Sequence, residues 1–263
     1  EAKKLNEVIR RLQGLIVKKP NKELLTRAQY RLGWAYFDLK NYAEAAKAYE
    51  AMLTAAPEDL LVTAAYQAGE SRLQSTPPQP AAALVNFQKS IKAKKPAEPG
   101  QVVLQEQALL RVGLCQAQLP VPKWADSEKA FRQFIVAYPK HDHIRTAQHG
   151  LGQALKNQKK YDVALKEFES VLSEAIRDEL GAHSQFLVGE CYLEQKMYDE
   201  SMAEYVKVET LYAFPQWQSK AIYEMAEALD GKGDKVNAQT QYKRLIQKFP
   251  DTPAATAAKG KLK

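Results

Sequence analysis

Apolar positions along this chain recur at helical spacing and almost nowhere alternate. Leu5, Val8, Ile9, Leu12 and Ile16 fall on one stripe, which predicts a single amphipathic helix over residues 1–19, closed by Pro20. Beyond it one pattern is written again and again. Residues 27–49, RAQYRLGWAYFDLKNYAEAAKAY, align without a gap on residues 146–168, TAQHGLGQALKNQKKYDVALKEF, and LVGECYLEQKMYDESMAEY continues in the same register. A small residue returns at Gly33, Gly69, Gly113, Gly152, Gly189 and Ala226, and an aromatic at Tyr49, Phe87, Phe131, Phe168, Tyr205 and Tyr242. Self-similarity at this period marks an array of stacked supersecondary units.

A glycine inside a helix costs about 1 kcal/mol relative to alanine, so its return at one repeat position calls for a packing reason. The spacing predicts close approach of two antiparallel helices. Ala45, Ser127, Ala164, Ser201 or Ala238 would face the small residue from the second helix, and the aromatic would fill the gap between neighbouring pairs. Pro57, Pro96, Pro139 and Pro250 end four of the units, because proline cannot continue a helix. Insertions, STPPQP at 75–80 and LPVPK at 119–123, lengthen the turns inside two pairs so that they protrude. The stretch 252–262 reads as a short closing helix with proline at its first position.

Taken together, a small residue at the eighth and twentieth positions, an aromatic at the twenty-fourth and proline at the thirty-second resemble the tetratricopeptide repeat. The resemblance implies an all-α, right-handed superhelical solenoid occupying 1–263 as a single body. It would comprise a half repeat at 1–19, repeats near 26–58, 59–96, 100–139, 142–176, 181–214 and 215–250, and a C-terminal capping helix at 252–262. The connectors YPKHDHIRTA at 138–147 and FPDTPAATA at 249–257 are similar to joints in bacterial cell-envelope tetratricopeptide families. The Tol-Pal-associated cell-division coordinator and the repeat lipoprotein of the outer-membrane barrel assembly machinery are two such families. This similarity implies a periplasmic or outer-membrane-associated adaptor, with a cytoplasmic location as the alternative. The function it implies is a noncatalytic scaffold that binds a partner segment. A regulatory or sensor domain of a larger protein is the second reading.

In such arrays the first helix of each pair lines a concave groove. The family pattern carried onto this chain gives Arg27, Tyr30, Trp34, Phe37, Tyr66, His149, Gln153, His183, Phe186, Glu190, Glu194, Tyr223, Glu227 and Asp230 as candidate groove residues. The aromatic end is either a peptide anchor or a surface packed under the N-terminal helix. Chaperone-type relatives hold a terminal carboxylate with Lys and Asn at positions occupied here by Tyr30 and Trp34, so that clamp is absent from the first unit.

Charge divides the chain. The formal net charge is +7, yet residues 162–230 hold 15 acidic and 5 basic side chains while 232–263 hold 8 basic and 2 acidic. A field of one sign over several helices steers partners of the opposite sign. The acidic stretch therefore predicts that Glu190, Glu194, Glu227 and Asp230 receive a basic or polar protein segment, the alternative being an ordinary solvated face. Lysine runs at Lys92, Lys94 and Lys95 or Lys159 and Lys160 lack interleaved aromatics, so no nucleic-acid partner is expected.

Composition brings in little chemistry. With 45% hydrophobic and 26% charged residues the chain has ample core material, and no run of 18 apolar residues predicts a membrane span. It opens on Glu1 without a charged-then-apolar leader, which fits a leader or upstream segment already removed. Gly150-Leu151-Gly152 and Gly231-Lys232-Gly233 match no phosphate-binding motif. His141, Asp142 and His143, with His149 further on, are the best metal candidates, but they fall at a joint, where Asp142 would cap the next helix. Cys115 and Cys191 lie two units apart, more than about 16 Å, and read as buried free thiols. No catalytic residue, metal or cofactor is expected, and oligomeric state is left open.

Overall fold

Helices start and stop where a side chain or a left-handed residue gives the backbone another partner. In this computed structural model, which describes residues 2–54, 56–94 and 98–262, those boundaries produce fourteen helices and no strand among the described residues. The chain divides into two compact units, residues 1–139 and 140–263.

The first unit begins with α1 (Ala2–Val17). It continues with three helix pairs: α2 (Lys22–Asp38) with α3 (Tyr42–Met52), α4 (Glu58–Gln74) with α5 (Pro80–Lys92), and α6 (Pro99–Ala117) with α7 (Trp124–Ala137). The second unit has the pairs α8 (Ile144–Asn157) with α9 (Tyr161–Leu172), α10 (Glu179–Glu194) with α11 (Tyr198–Leu211), and α12 (Pro215–Lys232) with α13 (Lys235–Lys248), followed by α14 (Pro253–Lys261). Within each unit every helix packs on the next. First helices also touch one another, α4 on α6 in the first unit, and α8 on α10, α10 on α12 and α12 on α14 in the second, where they form a continuous layer.

Four of the turns inside pairs share one geometry. Lys40, Lys159, Lys196 and Gly233 each take a positive φ of 59° to 89°. The next residue then donates its N–H five residues back, as Asn41 does to the Tyr36 carbonyl at 2.8 Å and Asp234 to Leu229 at 2.9 Å. This is the Schellman closure, which satisfies carbonyls the helix end would leave orphaned. The two inserted turns differ: Gln79 donates to Arg72 and Lys123 to Gln116, and the proline-rich tips are exposed. Starts are capped by Asn21, Asp178, Asp234 and Thr252, whose side-chain oxygens each accept the N–H of the residue three positions on. Asp142 does not cap α8. His143 holds the N-cap position without a side-chain bond, its own N–H donated to His141 Nδ1 at 3.0 Å.

The recurrent glycines are explained by the aromatics of their own pairs. A Cβ at Gly33, Gly69, Gly113, Gly152 or Gly189 would lie 2.5–2.8 Å from the ring of Tyr49, Phe87, Phe131, Phe168 or Tyr205 respectively. All five rings are buried. The aromatic meets the neighbouring pair, as Tyr49 does Ala68 of α4, and in addition it lies flat on the glycine of its own pair. The small residue of the second helix still meets the glycine backbone in the third pair, where Ser127 Oγ donates to the Gly113 carbonyl at 2.8 Å.

Of the N-terminal stripe, Leu5 and Ile9 are buried against Leu32, Ala35 and Ala48, and Leu12 and Ile16 are partly covered, whereas Val8 is 41% exposed and belongs to the outer face. Both cysteines are buried free thiols, pushed up to about 12 by burial. Pro57 is the N-cap of α4, and Pro139 and Pro250 follow α7 and α13, while Lys95 and Pro96 lie outside the described residues. No helix among the described residues is long and apolar enough to cross a membrane.

Gly189→Ala is expected to cost about 1–3 kcal/mol, since its methyl must displace the Tyr205 ring from a filled site. Gly14→Ala, on an exposed position of α1 with no atom within 4 Å of the added Cβ, is expected to gain about 0.5–1 kcal/mol. Paired chemical denaturation curves read both, and equal effects at the two sites would reject the packing account.

Candidate functional site

The first-helix layer carries the candidate residues, and each unit presents a different surface. In the first unit Arg27 is exposed and paired with Glu23 one turn away at 3.1 Å. Tyr30 lies half-buried with its ring 5.8 Å from that of Tyr49, and Phe37 meets Tyr42 edge-on at 5.2 Å. Tyr66 is buried against Phe87. Trp34 is 54% exposed and is the aromatic this face displays. Helix α1 reaches only the other side of α2, where Gln13 donates to the Tyr36 hydroxyl at 2.8 Å. Between α4 and α6, Glu70 and Arg111 make a forked pair at 2.7 and 3.1 Å. Burial still raises the Glu70 carboxyl above its usual range, against the pull of Arg111.

In the second unit three helices build a stack. His149 of α8 is buried, with Nδ1 2.8 Å from Ser184 Oγ, and its ring lies 4.5 Å from that of His183 on α10. His183 in turn lies parallel on Trp217 of α12 at 4.1 Å, and Lys220 Nζ covers the indole at 4.4 Å. Phe186 is buried beside the same indole at 5.6 Å. Burial, with His183 next, holds His149 down at about 3. Burial, with Lys220 next, holds His183 at about 4, so both rings are neutral at pH 7.

Beyond the stack runs an acidic row whose charges are mostly answered from within. Lys156 of α8 reaches Glu190 at 2.7 Å and Glu194 at 2.8 Å, and Tyr161 donates to Glu194 at 2.7 Å. Burial works against the Lys156 charge, but the two carboxylates outweigh it and its pKa rises. On α12, Glu227 accepts from the Tyr242 hydroxyl and pairs with Lys261 of α14 at 2.6 Å. Asp230 and Gln153 are partly exposed, and Tyr223 rests on Tyr242 with ring centres 5.7 Å apart. Glu224 is different. It forms no hydrogen bond or ion pair among the described residues, and burial, then Glu190 and Glu227, push its carboxyl up to about 7.

Of the fourteen sequence-derived positions, Tyr66, His149 and Phe186 are therefore floor, packed rather than displayed. Glu190, Glu194 and Glu227 are engaged by the protein's own cations. Sequence reasoning missed Trp217, Glu224 and Lys261. The repeat register held a signal for the last two: the small buried residues Ala147, Ser184, Ala221 and Ala258 recur every 37 residues, and the same step joins Glu224 to Lys261. No group of three His, Cys, Asp or Glu among the described residues is placed to hold a metal. His141 and His143 stay together at the start of α8, while His149 is buried under Ser184.

The architecture, antiparallel helix pairs stacked on one another with a small residue under a ring in each, defines a helical-repeat protein. Family models of the tetratricopeptide repeat match residues 26–59, 149–215 and 220–252. The chain belongs to the tetratricopeptide repeat superfamily. No curated protein matches the sequence. Among solved structures, the C-terminal part of a TPR repeat-containing protein from Cytophaga hutchinsonii is similar over 97% of this chain and 94% of its own, at 16% identity and a TM-score of 0.67. PilW, described as a type IV pilus biogenesis factor, is similar over 89% and 97% at 13% identity and 0.64. YrrB, described as a TPR protein with an unusual peptide-binding site, is similar over 82% and 99% at 18% identity and 0.55.

The Glu224 carboxyl yields a pH test. Its folded pKa of about 7 lies above the usual 4.5, so the folded chain holds the proton more tightly than the unfolded one. Its contribution is complete below about pH 4.5 and is lost as pH rises through 7. Lys156 and Lys261 temper this from α8 and α14, while Glu190 and Glu227 reinforce it from α10 and α12. Glu224→Gln is expected to match the parent near pH 4 and to exceed it by about 1–2 kcal/mol at pH 8, discounted for partial exposure. Unfolding free energies measured across that range check it, and a constant difference would reject the assignment.

Proposed function

We propose that this protein is a noncatalytic interaction scaffold, in which the first-helix layer of the repeats receives a segment of a protein partner. The observation that carries the reading is the accessible aromatic group that each unit by itself presents on its first helices: Trp34 in one, and the His183–Trp217–Lys220 stack beside the acidic row in the other. Exposed indoles and cation-capped aromatics are the groups that anchor peptide interfaces, since they bury large areas at small entropic cost. Such a face offers an open strip rather than a closed pocket with convergent acid and base groups, which favours holding over catalysis. YrrB, with its peptide-binding site, is consistent with this use of the fold. We further place the scaffold in a bacterial cell envelope, on the strength of the aromatic-proline joints at 138–147 and 249–257. The candidate contacts are Trp34, Gln153, His183, Trp217, Tyr223 and the acidic row.

A photo-crosslinking amino acid placed at Trp34 or Trp217 in the producing cell is expected to trap one partner. The same group at Val163 or Val206, exposed on second helices α9 and α11, is expected not to. Crosslinks confined to the second-helix positions would reject the groove. Recovery of the protein in the cytosolic fraction would reject the envelope location and leave the scaffold standing.

A further inference from the structure

The last two joints of the second unit are the same construction with one residue changed. In the final joint Tyr242 of α13 donates its hydroxyl to Glu227 of α12, and Lys261 of α14 supplies the cation at 2.6 Å. Stepping each residue back by 37 gives Tyr205 of α11, Glu190 of α10 and Glu224 of α12. The ring and the first carboxylate are kept; where the lysine stood there is a second acid.

The consequences of that exchange are visible in the side chains. Tyr205 is fully buried, and its hydroxyl and the neighbouring Ser201 hydroxyl have no hydrogen-bond partner beyond one another among the described residues. The carboxylates acting on that hydroxyl most strongly are Glu224 and then Glu190. Leaving a buried hydroxyl unpaired costs about 1–3 kcal/mol, and a second carboxyl with no counter-ion adds repulsion. The cations that act on Glu224 are already committed, Lys156 to Glu190 and Glu194 and Lys261 to Glu227. Glu190 and Glu224 are both only partly covered, so the place where the missing charge belongs opens on the groove.

We infer that Glu190 and Glu224, over the buried Tyr205 hydroxyl, form a pocket that takes the side chain of a lysine or arginine from the partner segment. The incoming cation occupies the role that Lys261 fills in the next joint. It lies between the two carboxylates, and Glu224, once ionised, becomes an acceptor for the Tyr205 proton. A basic rather than acidic or neutral occupant follows from charge: five carboxylates, Glu190, Glu194, Glu224, Glu227 and Asp230, face three lysines on this layer, and of these Lys220 lies over the Trp217 ring while Lys156 and Lys261 are already paired. The inference rests on the groove reading above and narrows it to the chemistry of one side chain.

The test uses the whole chain and four pools of synthetic peptides, about twelve residues long with random flanks, whose central residue is Lys, Arg, norleucine or Glu. The Lys or Arg pool is expected to be captured about tenfold more than the norleucine pool, with the Glu pool weakest. Glu224→Gln should weaken capture about tenfold. Glu224→Lys, which copies the final joint, should abolish it while raising the thermal midpoint. Glu200→Lys, the same charge change on α11, should leave capture within about twofold. On binding, the Glu224 carboxyl should titrate well below its free value of about 7. Captured peptides without basic residues, or equal losses in Glu224→Lys and Glu200→Lys, would overturn the cation pocket while leaving the groove in place. Capture of no peptide by the parent chain would overturn both.

Discussion

Five of the six repeats of this protein depend on one contact, an aromatic ring of the second helix lying flat on a glycine of the first that has no room for a β-carbon, and in the sixth Ala226 packs with Tyr242 instead. At five positions an added methyl would fall within 2.8 Å of the ring. The helix accepts the cost of glycine because the ring gains far more: full burial of a Phe or Tyr removes a large apolar area from water, about 1.5–3 kcal/mol each on the usual area scale. The contact also fixes relative position. A ring can lie on only one residue of the facing helix, so each pair has a defined rotation and slide, and the pair above must present small residues such as Ala68 to close over the ring.

Fixing that register makes equivalent positions fall in line across pairs, and this is how a packing device becomes a surface. In the second unit the small residues at 37-residue steps are buried, the residues six places after them, Gln153, Glu190 and Glu227, are partly exposed, and three places after them Gly150 and Leu187 are buried while Glu224 and Lys261 are not. Glu190 and Glu227 occupy one such row, and Glu224 and Lys261 another. A substitution in any one repeat is read by its neighbours at an identical distance, which is why a lysine in one joint and a glutamate in the preceding one leave different demands on the same tyrosine position.

The repeat itself was open to sequence reading because it is local and periodic: glycine, aromatic and proline recur at intervals that no side-chain detail can hide. The expected all-α helix pairs are found. What escaped was direction. The sequence alone could not tell that the ring would press on the glycine of its own pair, nor that Val8 would point outward while Leu5 and Ile9 point in, because both depend on the rotation at which helices settle. The candidate face shows the same division. The first helices were identifiable, but His149, Tyr66 and Phe186 sit deep enough to be floor, and Trp217 lies outside the family positions while its ring joins the His183 stack.

Charge shows most clearly why a count of acidic residues is not a surface potential. The stretch 162–230 is strongly negative in sequence, yet three of the four acidic side chains singled out there are bound by lysines from α8 and α14. Lys156 and Lys261 come from outside that stretch on one side and the other, and only folding brings them in. A paired carboxylate in a partly covered site attracts little, since its field is already compensated at contact distance. The residues that can act on a partner are those the fold leaves unanswered, and on this face Glu224 joins Asp230 among them, which no tally of the sequence would have separated from their neighbours.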